Sequence, residues 1–63
     1  MKVRIVIATL KKAGWKLDRQ KGSHRVFVHP NFPHHIVIAG NPGSEMKSGT
    51  LHGILKDAGL EEQ

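Results

Sequence analysis

One short stretch, Gly22-Ser23-His24-Arg25, holds most of the groups in this chain that can do chemistry. Histidine both accepts and releases a proton near neutral pH. Lys21 and Arg25 flank His24, and a glycine without a side chain lets backbone N–H groups approach an anion closely. Together they suit the cleavage of an RNA phosphodiester without a cofactor. That reaction needs a base for the neighbouring 2′-hydroxyl, positive charge for the developing phosphorane and a proton for the leaving 5′-oxygen. One imidazole among cations covers most of this. On residue types alone, His24 reads first as a polar hairpin residue and Gly22 as a turn residue with no further role.

The charge around this stretch has the sign that RNA chemistry requires. Lys and Arg number 10 against 5 acids, and eight of the ten cations fall within the first 25 positions, where Asp18 is the only acid. Such a surface attracts polyanions. Lys12, Lys16, Lys21 and Arg25, with the backbone of Gly22 and Ser23, are the candidate RNA contacts. The bland reading is a solvated face kept soluble by its charge. With 63 residues the chain is expected to be one domain, 1–63, and with no cysteine it has neither disulfides nor thiolate metal sites. A core this small supplies roughly 3–5 kcal/mol, so a partner chain is the expected support. The longest apolar run, Ile5 to Ala8, is far too short to span a bilayer, and the expected location is the cytoplasm.

The elements that must position His24 follow from periodicity. Val3, Val6, Ile7 and Leu10 recur at helical steps, and Gly14 suits a C-terminal cap behind Lys11 and Lys12. Trp15 to Arg19 alternates as a first strand, with Trp15, Leu17 and Arg19 on one face. Gln20 to Ser23 is a short turn, and His24 to His29 is a second strand that Pro30 ends. Asn31 to His34 reads as a loop because of its proline, His35 to Ala39 as a third strand, and Gly40 to Ser44 as a turn of breakers. Ser48 is the predicted N-cap of a second helix with the stripe Leu51, Ile54, Leu55 and Ala58, closed by Gly59 and Leu60. The order αβββα predicts a two-layer α+β domain, a three-stranded antiparallel sheet covered on one face by two helices, with its other face bare.

The remaining histidines and aromatics are weaker candidates. His29 lies five residues from His24 along an extended strand, which places it on the opposite face. His29, His34 and His35 match no common metal-site spacing and have no carboxylate nearby, so no metal and no other cofactor is expected. His52 reads as a surface or boundary residue. Trp15 and Phe27 can serve as stacking platforms for unpaired bases, but in a chain with so few large side chains they read first as core.

Three segments resemble one known family in order and spacing: Lys12-Ala13-Gly14-Trp15, then Gly22-Ser23-His24-Arg25-Val26-Phe27-Val28-His29-Pro30, then Lys47-Ser48-Gly49-Thr50-Leu51 with Ile54 to Leu60. The chain resembles the HicA (YcfA-like) toxins over nearly its whole length. The resemblance implies a double-stranded-RNA-binding-like αβββα fold working as a translation-blocking mRNA endoribonuclease. It also implies that the histidine of Gly-Ser-His, here His24, is the catalytic group, and that a co-encoded antitoxin of the HicB kind holds the toxin inactive. Many members of that family carry a proline and a histidine in and just after the third strand, where this chain reads Ile38-Ala39-Gly40-Asn41-Pro42-Gly43, so no second proton-transfer group carries over. Two other classes compete: a noncatalytic RNA-binding module of the same fold, and a small protein whose basic face docks an acidic partner. Cleavage separates the first account from the second, because both bind RNA with affinity that falls as salt rises.

Overall fold

A computed structural model describes residues 1–60 and has the predicted order of elements: α1 (Val3–Lys12), β1 (Lys16–Lys21), β2 (His24–His29), β3 (Phe32–Ile38) and α2 (Ser48–Asp57). The strands form one antiparallel sheet in the order β1-β2-β3. Val3, Val6 and Leu10 of α1, Trp15, Phe27 of β2, Ile36 and Ile38 of β3, and Ile54 and Ala58 on and just after α2 make the core. No residue of β1 is buried. The helical layer therefore closes over β2 and β3, and β1 overhangs it. Among the described residues no helix is long and apolar enough to cross a membrane.

The β-branched residues Val3, Ile5, Val6 and Ile7 are mediocre helix formers, yet α1 forms because Val3, Val6 and Leu10 bury together. Its first turn has neither a capping side chain nor an acid. The breaker-rich turn after β3 takes that role: Val3 N–H donates to the Ser44 carbonyl at 2.9 Å and Arg4 N–H to the Pro42 carbonyl at 3.0 Å. Both helices end in the same way. After α1, Trp15 N–H donates to Leu10 and Gly14 N–H to Lys11; after α2, Leu60 N–H donates to Leu55 and Gly59 N–H to Lys56. Gly14 (φ +100°) and Gly59 (φ +74°) take the positive φ that this cap demands, as the sequence predicts for both.

Four details differ from the sequence reading. Ser48 is the first residue of α2 and not its N-cap; Lys47 holds that position and no side chain caps the helix. The first strand runs from Lys16 to Lys21, because Lys21 pairs with His24 and the turn shrinks to Gly22-Ser23. Its alternation breaks at a register shift between Leu17 and Arg19, which leaves Asp18 without a partner across the ladder. The third strand begins at Phe32, not His35: β3 is an edge strand, and between the pairs His29↔Phe32 and Phe27↔Ile36 its register also shifts. An edge position at an irregularity tolerates Pro33, which has no N–H for the ladder.

Candidate active site

The hairpin that presents His24 is a two-residue loop. Lys21 and His24 are the last pair of the β1–β2 ladder, and between them Gly22 takes φ +59° while Ser23 does not have positive φ. A glycine in the first central position suits the tight hairpin turn whose twist matches the flanking strands. No atom lies within 4 Å of where a Gly22 Cβ would stand, so the approach to this turn is open.

Strand pairing sorts the side chains between the two faces. Phe27 is buried against the helices, so Arg25 and His29 share its face, while His24, Val26 and Val28 point to the side without helices. Paired residues lie on the same face. Lys21 therefore joins His24, Arg19 joins Val26 and Lys16 joins Val28 on the open face, and Val37 of β3, 53% exposed, lies across from Val26. The outcome is a cationic row along β1, an aliphatic strip beside it, and an exposed histidine at one end. Among the described residues, no hydrogen bond, ion pair or ring contact holds the His24 side chain.

The predicted site residues divide accordingly. Lys21, Gly22, Ser23 and His24 come together at the hairpin. Lys16 is on the same face but opposite Val28, four residues from His24, or about 13 Å along the strand. Lys12 ends α1 in the helical layer, toward the other end of β2, and does not join the group. Arg25 faces the helices, where its Nη1 donates to the Gly40 carbonyl at 3.1 Å and braces β2 against the chain leaving β3. Arg19 is not among the sequence candidates, and straight alternation puts it beside Leu17. Only the register shift moves it to the open face, and no residue in the sequence announces that shift.

The other end of β2 is built in the opposite way. His29 Nδ1 accepts a hydrogen bond from Asn31 N–H at 3.0 Å, which leaves Nε2 to carry the proton and donate it to the Ala13 carbonyl at 3.1 Å. His34 Nε2 donates to the Asp57 carbonyl at 2.7 Å. Each imidazole thus ties the sheet to the C-terminal end of a helix, where carbonyls lack partners within the helix. Trp15, His29, Phe32 and His34 form one ring cluster with centroid separations of 5.0–5.9 Å. Of the three histidines weighed as metal ligands, two therefore spend a nitrogen on a helix carbonyl. Trp15 and Phe27, 1% and 0% exposed, are core and not stacking platforms.

A separate cavity of about 290 Å³ lies between β3 and the start of α2, lined in part by Val3, Val37, Ala39, Met46 and Ile54, and it contains none of the predicted site residues. No curated protein matches the chain significantly. Residues 3–60, nearly the whole chain, match the family model described as HicA toxin of bacterial toxin-antitoxin. With that match spanning both helices and the whole sheet, the chain belongs to the HicA toxin family and is a toxin of a bacterial toxin–antitoxin system with an antitoxin partner.

Proposed function

We propose that this toxin is a metal-independent endoribonuclease that cleaves mRNA in the cytoplasm and blocks translation, with His24 as its proton-transfer group. The observation that carries the reading is the placement of His24. It is exposed, held by no other group among the described residues, directly across from Lys21, and next to an unobstructed glycine turn.

RNA laid on the open face presents a ribose to the imidazole. His24 removes the 2′-hydroxyl proton, the 2′-oxygen attacks the adjacent phosphorus, and the bond from phosphorus to the 5′-oxygen breaks as that oxygen takes a proton from water, whose hydroxide then takes the proton held by His24. The products are a 2′,3′-cyclic phosphate and a free 5′-hydroxyl. Lys21 stabilises the charge that builds on the phosphorane, and the N–H groups of Gly22 and Ser23 add to it. Lys16 extends the cationic track for the strand. Lys12 and Arg25, placed elsewhere, contribute through overall charge and hairpin bracing. An antitoxin of the HicB kind would silence this toxin by covering the same face, its acidic groups on the β1 row and its apolar groups on Val26, Val28 and Val37.

The test is incubation of the purified chain and its His24→Ala variant with RNA in EDTA. Fragments with cyclic-phosphate ends from the parent and none from the variant are the expected result. Equal cleavage by both, or cleavage that chelation abolishes, would overturn the assignment.

A further inference from the structure

We infer that Arg19 is a phosphate-holding residue of this site: its guanidinium grips the phosphate next to the one cut beside His24. This rests on the nuclease reading of His24. The register of β1 carries the argument. Leu17 pairs with Phe27 and Arg19 with Val26, so Asp18 is one extra residue in the ladder. Without it Arg19 would oppose Arg25 and face the helical side; with it Arg19 shares the open face with Val26 and His24. A bulge disrupts pairing locally, and beside an active site it characteristically re-aims a side chain. Here the side chain re-aimed is the one arginine on the open face.

The rest of its surroundings agree. Arg19 is exposed and, among the described residues, makes no hydrogen bond or ion pair, whereas Arg25 is tied to the Gly40 carbonyl. Among the described residues no ion pair joins Asp18 to Arg19, so Asp18 does not neutralise it. Two residues along β1 and one strand across put the Arg19 and His24 backbones about 8 Å apart. That span suits an adjacent phosphate better than the scissile one, which falls to Lys21 directly opposite His24. The planar fork of arginine binds a phosphate through two parallel hydrogen bonds, and a lysine cannot reproduce that geometry.

The test uses the full chain, a fluorescent mixed-sequence RNA 20-mer for cleavage, and its fully 2′-O-methylated analogue, which cannot be cut, for binding across a salt series. Arg19→Ala should weaken binding about tenfold and lower the slope of log K against log salt by about one, the signature of one lost phosphate contact. KM should rise in proportion with kcat nearly kept, and the melting temperature should not move. Arg19→Lys should restore the salt slope but only part of the affinity. Unchanged affinity and slope in Arg19→Ala would overturn the inference, and a loss confined to kcat would overturn the assignment to the neighbouring phosphate. If the parent binds the analogue but cuts nothing, the nuclease reading fails while Arg19 still stands or falls by the binding data. If the parent neither binds nor cuts, both fail.

Discussion

The two ends of β2 each present a histidine, and the pair shows how environment assigns a role to identical chemistry. His29 faces the helices with both ring nitrogens in hydrogen bonds and its ring packed against Trp15 and Phe32. Five residues earlier, His24 faces away from the helices and is tied to nothing among the described residues. The first end holds the fold together. The second is left exposed, as the proposed proton transfer at His24 requires.

The glycines at the two ends offer the sharpest way to break this comparison. A Cβ on Gly14 would stand 2.8 Å from His29 Nε2, at a φ of +100°. Gly14→Ala combines backbone strain of about 1–2 kcal/mol with overpacking of similar size, and should cost about 3 kcal/mol in urea denaturation. In a domain this small that approaches the whole stability. His29→Ala should cost about 2 kcal/mol by the same measurement, through two lost hydrogen bonds and an unsatisfied Ala13 carbonyl. Gly22→Ala meets no neighbouring atom and should cost only the strain of its backbone, about 1–2 kcal/mol, so it must come out milder than Gly14→Ala. Ser48→Ala should be the mildest, within about 0.5 kcal/mol, because the serine side chain caps nothing. A large loss there would restore the N-cap that the structure denies.

Much of this architecture was legible in the residues themselves. Helical spacing at Val3, Val6 and Leu10, the Gly14 and Gly59 caps, and the Gly22 turn all express local chemistry, and each predicted its element. The family motifs led to His24 and, through them, to membership that the match over residues 3–60 bears out. What was not legible depends on neighbours distant in sequence. The Ser44 and Pro42 carbonyls that cap α1 lie some forty residues from it. Pro33 belongs to a strand only because β3 is an edge. Arg19 reaches the open face only because β1 slips by one residue against β2. A period-two pattern carries no record of such a slip, since the residues before and after it alternate normally.

The proposed function requires a separation of chemistry from stability between the two histidines of β2. It is tested most directly by measuring RNA cleavage per folded molecule and thermal melting for His24→Ala and His29→Ala side by side. A rate loss of at least about 100-fold with unchanged melting is expected for His24→Ala. For His29→Ala the melting temperature is expected to fall by about 10 °C with the rate per folded molecule retained. Equal rate losses in the two variants, or full activity in His24→Ala, would contradict it.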